Sequence, residues 1–460
     1  MAGEASGEDQ KGGENAVATV EIKMELAPRE DAESAVATSP SVGAASSAGC
    51  CRFRWLEPSV LALSGLVSSA SFTFMAPFFP QEAERLGLSQ TWTGVVFSSF
   101  MICEFIVSPE IGRKLVPKIG RKSSTLFGLL LMACTTSVFG FCPEVVSGWA
   151  FGVTATALRA IQAVAHTCVN AAMFAWAARG GAKGRSSTRL AIMEAAKGVG
   201  FAGSPALAAL LYSLNGFWLP FTVAAIASVC LAGVGLCSLP RKRDEDVTVR
   251  PSTSAPDEDN SLRWCSLLRL PAVLRALFCV FVQALSYAYL EPCLEPFSRQ
   301  FGATQQQVGL MFLLTSASYS LCFFAIAWVI NRWRCYAPTM LLGAAINVAT
   351  HLLMGAGASR LPSPAQSVAA LALANALVGV GNSLLFAPAM QVIVDSTSGA
   401  ISGIFICASA LGSAIGPALV GGALFEYVGM EWTTAFVATL NGILVPMLLF
   451  DACQSETRNK

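Results

Sequence analysis

MAPFFPQEAERLGLSQTWTGVVF (75–97) and LEPCLEPFSRQFGATQQQVGLMF (290–312) align without a gap at an offset of 215 residues. Pro77, Gly87, Gly94 and Phe97 meet Pro292, Gly302, Gly309 and Phe312, and Ser89 meets Thr304. A second pairing, at an offset of 212, sets GVGFAGSP (198–205) against the stretch that ends in Gly416 and Pro417. Two concordant matches at nearly one spacing read as a duplicated half, not as chance likeness between apolar segments.

On both sides of these stretches the chain is apolar in blocks of roughly 20 residues, the length that crosses a bilayer as a helix. The blocks fall near 57–79, 92–111, 123–141, 149–176, 190–213 and 218–239, and then near 273–294, 308–330, 338–357, 367–393, 400–424 and 432–451. Of the 460 residues, 54% are hydrophobic and 13% charged, against about 25% charged in a soluble domain. The expected fold class is therefore an all-α polytopic membrane protein of twelve spans in two pseudo-symmetric six-helix bundles, 55–240 and 272–452. Residues 1–54 hold nine acids, five bases and almost no aromatics, which predicts a disordered tail without the positive segment of a signal peptide. Residues 241–271, opening RKRDEDVTVRPSTSAPDEDNSLR, read as a polar linker, and 453–460 as a short closing tail.

Lys and Arg fix the orientation. The connections 113–122, 179–189, 241–275 and 332–334 hold 18 basic residues, and the opposite connections hold three, Arg85, Arg299 and Arg360. Basic loops stay inside, so both termini are expected in the cytoplasm, and Arg113, Lys114, Lys118, Arg121 and Lys122 read first as topology determinants. Trp55, Trp92, Trp149, Trp176, Trp218, Trp264, Trp333 and Trp432 fall at span ends, where an interfacial belt is expected. The net charge of +1 argues against a nucleic-acid partner. The 15 cysteines are scattered without metal-ligand spacing and read as buried small hydrophobes, with Cys50 and Cys51 beside Arg52 and Arg54 as a weak lipidation signal. No nucleophile–base pairing, phosphate loop, dinucleotide fingerprint or metal cluster is legible, so neither an enzyme nor a cofactor is expected, and any drive comes from an ion gradient.

GRKLVPKIGRK (112–122), ALRAIQA (157–163), GVGFAGSPALAA (198–209) and GSAIGPALVGG (412–422) together resemble the motifs of the major facilitator superfamily. The resemblance covers residues 55 to 452 and departs in two places. Val116 or Pro117 stands where the family has an acid in its signature loop, and span 11 has one extra residue before Gly421 and Gly422. It implies two homologous bundles, a ligand site between them near the midplane, and rocking of one half against the other. Gly198, Gly200, Pro205, Gly412, Gly416 and Pro417 are the implied conformational motif, because small residues admit close helix approach and proline bends a helix. MAPFFPQEAERLG and LEP (290–292) are further similar to the vesicular amine transporter family, and nearest to its polyamine-transporting branch, which has acids matching Glu104, Glu194 and Glu291. That similarity implies proton-coupled antiport of an amine into an acidic vesicle. Span 1, SGLVSSASFTFMAP, lacks the acid of the monoamine branch, and Asn382 stands in span 10 where monoamine carriers use acids.

A charge inside a bilayer costs about 2.5–3.5 kcal/mol on insertion scales, so each one calls for a reason. Glu291, beside Tyr287 and Tyr289 and before Pro292, offers an organic cation an ion pair and aromatic faces; the plain reading is an interfacial acid reaching out of the membrane. For Glu295, one turn on, that interfacial reading prevails. Glu104 either exchanges protons or pairs with a base such as Arg159. Arg159, in the middle of span 4, either tunes a neighbouring acid or serves a structural pair, and His166, seven residues on, is a proton relay or a packing residue. Glu194 and Lys197, three apart, neutralise each other or act as a gate latch. The substrate/proton set is thus Glu104, Arg159, Glu291, Tyr287 and Tyr289, with Glu194, Lys197, His166, Glu295 and Asn382 as gate or coupling candidates. The favoured function is proton-driven exchange of an organic cation, with lipid, protons and that small molecule as partners. A plasma-membrane drug exporter of the same superfamily and a transport-inactive sensor or scaffold are the alternatives; the latter predicts loss of the buried ionisable set.

Overall fold

A computed structural model describes residues 56–177, 183–239, 271–396 and 402–458. The expected tail 1–54, with Cys50 and Cys51, and nearly all of the linker 241–271 lie outside the described residues, as do Trp55 and Trp264. The described residues contain helices and turns and no strand.

Eight stretches are long and apolar enough to cross a membrane. One of them, Phe405–Phe450, is 46 residues long and is two crossings, because Gly429 breaks it with φ 75° and ψ 176°. Three further helices, Leu56–Thr73, Gly148–Ala177 and Lys183–Asn215, bring the long helices to twelve. These three are diluted by polar residues, the serines of span 1, Arg159, Gln162, His166 and Asn170 of span 4, and Glu194 and Lys197 of span 5. Large apolar side chains such as Ile106, Leu207, Phe324 and Trp328 point outward, a surface that lipid covers and water would not. Trp92, Trp149, Trp333 and Trp432 are exposed in that way. Trp176 is not; it is buried beneath the guanidinium of Arg189, 4.7 Å from its ring. The cysteines also differ from expectation, since Cys134, Cys230, Cys237 and Cys407 face outward, where a thiol is as apolar as its surroundings require.

Spans 1 and 7 are each broken at the same place in their half. Span 1 runs Leu56–Thr73, turns, and resumes as Phe79–Arg85; span 7 runs Pro271–Ala288 and resumes as Leu290–Arg299. Proline has no N–H, so Pro77 leaves the carbonyl of Thr73 without its helical partner, and Pro292 does the same to Ala288. Those two residues end the first segments. The arm after each break closes on a glycine in the left-handed region, Gly87 at φ 80° and Gly302 at φ 77°. Ser89 then caps span 2 (Gln90–Glu110) through Trp92 N–H, and Thr304 caps span 8 (Gln305–Trp333) in a reciprocal box with Gln307. The duplication read from 75–97 and 290–312 is therefore a duplicated break, turn and cap.

Spans 5 and 11 seat these broken helices. A Cβ on Gly200 would stand 2.3 Å from Leu66 O of span 1, and on Gly412 or Gly421 it would stand 2.4 Å from Phe281 O or 2.1 Å from Tyr289 O of span 7. Gly416 packs on Ala288 and Tyr289, whereas Gly198 meets nothing within 4 Å and takes no part. The extra residue ahead of Gly421 is absorbed by a wide π turn, Gly416–Leu424, whose i→i+5 bonding accommodates one residue more than an α turn. The last helix continues to Arg458 and does not stop near 451.

The basic connections 113–122 and 332–334 lie at one end of the bundle, here the basic end, and Arg85, Arg299 and Arg360 at the other, the distal end. Halves meet by reciprocal use of the repeat. Gly94 of span 2 receives Pro417 O of span 11, a Cβ there standing 2.2 Å from it, and Gly309 of span 8 receives Pro205 O of span 5 at 2.8 Å. Hydrogen bonds between the halves gather at the distal end: Gln90 to Pro292 O, Thr91 to Glu426, Ser98 to Ala414 O, Gln305 to Gln81 and Gln306 to Ser213. Arg299 joins them by pairing with Glu84. On the basic side Arg121 pairs with Glu57 at 3.4 Å, and Lys122 Nζ donates to Leu236 O and Leu239 O at 2.6 and 2.7 Å, capping span 6. Glu110, Lys114 and Arg113 pair along one helix. The loop that lacks the family's acid is thus tied within its own half.

Candidate functional site

Arg159 is fully buried in span 4. It donates to Ser71 O at 3.1 Å, Phe72 O at 3.0 Å and Gln162 Oε1 at 3.0 Å. Ser71 and Phe72 precede the break in span 1, so the guanidinium caps a half-helix whose last carbonyls carry partial negative charge. Phe100 lies 4.6 Å from its Cζ and Phe72 5.7 Å. No ion pair with Glu104 forms among the described residues; a helix end, Gln162 and two rings surround the cation, and its Nε has no hydrogen-bond partner among those residues.

Glu104, half-buried in span 2, faces His166, with Oε1 3.7 Å from Nε2. His166 is buried between Ser68 Oγ, 2.8 Å from Nδ1, and Asn170 Nδ2, 2.6 Å from Nε2. With Asn170 donating, the ring carries its proton on Nδ1 and gives it to Ser68. Its ring also lies 5.5 Å from that of Phe100. Lys197 is within electrostatic reach of Glu104 and His166. It is bonded to Glu194 at 3.1 Å and sits 5.3 Å over Phe174. Glu104, His166, Lys197 and Glu194 therefore form one ionisable group on the basic side of the first half. Arg159 adjoins it through Phe100.

Glu291 is 2% exposed, and its Oε1 has no hydrogen-bond partner. It lies within electrostatic reach of Arg159 and of Tyr287, so a buried carboxylate of one half and a buried guanidinium of the other feel each other's charge. Tyr287, four residues before it, shares its face. Tyr289 does not. Its hydroxyl contacts Met354 Sδ at 3.7 Å and its ring packs 5.7 Å from His351. The two tyrosines paired in sequence thus separate, one toward the other half and one into the second bundle.

Two expectations change. Glu295 does not reach out of the membrane: it is 1% exposed, and Oε1 lies 3.2 Å from Arg299 Nε. Asn382 is remote from the interface, accepting from Asn347 Nδ2 at 2.9 Å. Asn347 also reaches Asn441, and Asn441 Nδ2 donates to Ser286 Oγ at 3.0 Å. This ladder ties spans 7, 9, 10 and 12 within one half. Ser68, Phe100, Asn170, Asn347, Asn441, Glu84 and Arg299 were missed in the sequence. The asparagines carried a usable signal, a polar amide inside an apolar span.

The sequence matches the family model described as Major Facilitator Superfamily over residues 61–289 and 276–459. It is 25% identical over 423 residues to the MFS-type transporter SLC18B1 of Rattus norvegicus, covering 86% of this chain and 88% of that one. The human protein of that name is 25% identical over 387 residues, 80% of each chain. The synaptic vesicular amine transporter of Bos taurus is 25% identical over 391 residues, 81% of this chain and 68% of that one. A crystal structure of a bacterial homolog of the human lysosomal transporter Spinster, inward-facing and unoccupied, aligns with a TM-score of 0.68 over 86% of this chain and 96% of that one. At 11% identity that likeness is one of fold. Broken first helices, reciprocal glycine–proline contacts and the family match over both halves agree, and the chain belongs to the major facilitator superfamily of membrane transporters.

Proposed function

We propose that this transporter exchanges protons for an organic cation, a polyamine, across the membrane of an acidic vesicle, its basic end in the cytoplasm. The observation that carries the reading is Glu291, a buried carboxylate with an unpartnered oxygen where the two halves face each other. A carboxylate there binds either a proton or an ammonium group, and mutual exclusion at one acid is antiport. Glu104, with His166 and Lys197 around it, lies on the cytoplasmic side of the same half-interface and hands the proton on. Closed contacts at the distal end and the glycine–proline approaches supply the alternation of access. The polyamine assignment rests on the resemblance of the acids at Glu104, Glu194 and Glu291, and on the uncharged first span.

Purified protein in liposomes under an imposed pH gradient provides the test, with labelled spermidine, a monoamine and acetylcholine offered in parallel. Gradient-dependent spermidine uptake is expected. Uptake that survives collapse of the gradient refutes antiport, and normal transport by both Glu291→Gln and Glu104→Gln refutes the assignment of the acids.

A further inference from the structure

Glu291 and Glu295 stand one helical turn apart on the distal arm of span 7, and among the described residues each has an oxygen without a partner, Oε1 of Glu291 and Oε2 of Glu295. They are 2% and 1% exposed. Glu291 is in electrostatic reach of Arg159 of the first half, and Glu295 of Tyr212 on span 5, which also feels Glu82 and Arg85. Tyr212 is held in place by stacking on Phe78 at 4.9 Å and 16°. Tyr287 shares the helix face of Glu291, and Tyr212 is a first-half ring within electrostatic reach of Glu295.

A buried carboxylate oxygen left unbonded is costly, and two on one helix face raise the question of what satisfies both. Residues four apart on a helix are about 6 Å apart along its axis. Two ammonium groups joined by three or four methylenes span about 5–6 Å when extended, by ordinary bond lengths. We propose that Glu291 and Glu295 form a two-pronged site for a diammonium segment of that length, with Glu295 holding the second amine. The proposal rests on the organic-cation reading of Glu291 and adds the residue that sets the spacing of charges. Glu295 keeps Oε1 for Arg299, which also pairs with Glu84 of the first half. Filling the second prong thus loads an acid that shares its arginine with the distal contact.

Binding of 1,3-diaminopropane, 1,4-diaminobutane, 1,8-diaminooctane and n-butylamine to the purified full-length protein distinguishes the outcomes. The two short diamines are expected to bind about tenfold or more tighter than n-butylamine and the long diamine, the increment of one added ion pair out of water. Glu295→Gln should bring the ratio of short diamine to n-butylamine down to about that of the isolated charge. Arg299→Gln breaks the same ion pair but leaves the carboxylate, and should keep the ratio, which a merely structural role for Glu295 would not. A wild-type protein with no preference for short diamines overturns the proposal without any variant, as does a preference that survives Glu295→Gln. If n-butylamine binds and depends on Glu291 in those cases, the organic-cation reading stands while the second prong falls. If no amine binds the wild type, both fall together.

Discussion

Gly94→Ala carries the sharpest consequence of the inter-half geometry. The added methyl would stand 2.2 Å from Pro417 O, 2.9 Å from Gly422 Cα and 3.0 Å from Pro417 C, all backbone atoms of span 11. No side chain can turn aside, so spans 2 and 11 must part by roughly 1 Å to restore ordinary contact. Overpacking of this kind costs about 1–3 kcal/mol. A state in which the halves part at that end would escape this cost. The equilibrium between distal-closed and distal-open forms should shift about 5- to 150-fold toward open. Hydrogen exchange of segments 81–97 and 290–312 in lipid nanodiscs should accelerate in step, and uptake should slow. Gly309→Ala, whose methyl would stand 2.8 Å from Pro205 O and 3.0 Å from Ala206 Cα, should produce the same phenotype from the mirror position. Gly112→Ala and Gly198→Ala, with nothing within 4 Å, should leave exchange unchanged. Wild-type exchange and uptake in both Gly94→Ala and Gly309→Ala would refute the assignment of these contacts as the closing surface.

Arg159→Lys keeps the charge but cannot bridge Ser71 O, Phe72 O and Gln162 together; losing two charge-assisted bonds at about 1.5–3 kcal/mol each should lower the melting temperature by several degrees and abolish uptake, read by thermal scanning and flux. Glu84→Gln breaks a pair whose members are 65% and 35% exposed, and leaves Arg299 its bond to Glu295. A surface pair is worth about 0–1 kcal/mol, so distal exchange should rise less than about fivefold, whereas Arg299→Gln, which also strips the buried Glu295 of its partner, should raise it further. Glu104→Gln should remove uptake driven by a pH gradient while leaving cation-for-cation counterflow, and loss of both would reassign Glu104 to binding. Thr304→Ala removes a reciprocal cap and should destabilise the protein by about 1 kcal/mol, visible as fraying of Gln305–Gln307 in hydrogen exchange.

Much of the site's composition was legible early, because an ionisable group in an apolar span is rare enough to count. Its pairing was not. Glu104 and Arg159 looked like natural partners across spans 2 and 4, yet the rotation of span 4 gives Arg159 to the broken end of span 1 and His166 to Glu104. Tyr287 and Tyr289 looked like one aromatic wall, and a helix sends residues two apart to opposite sides. Glu295 looked interfacial because it follows Glu291 toward the span end; the arm Leu290–Arg299 lies instead against the first half.

The duplicated halves and the spans were legible in the linear chain, and the prolines and glycines that mark the breaks of spans 1 and 7 stand in it, although those two spans read there as continuous. These are local properties: proline removes a backbone donor, glycine admits a positive φ, and an apolar run of bilayer length has no other solvent. The linear chain even showed that 75–97 and 290–312 do the same work. That the two copies serve each other crosswise, Gly94 under Pro417 and Gly309 under Pro205, emerges from the packed helices alone. So does the placing of unpartnered oxygens of Glu291 and Glu295 on one buried face. Which atoms meet across an interface depends on the rotation and tilt of whole helices, and that is set by all their contacts together.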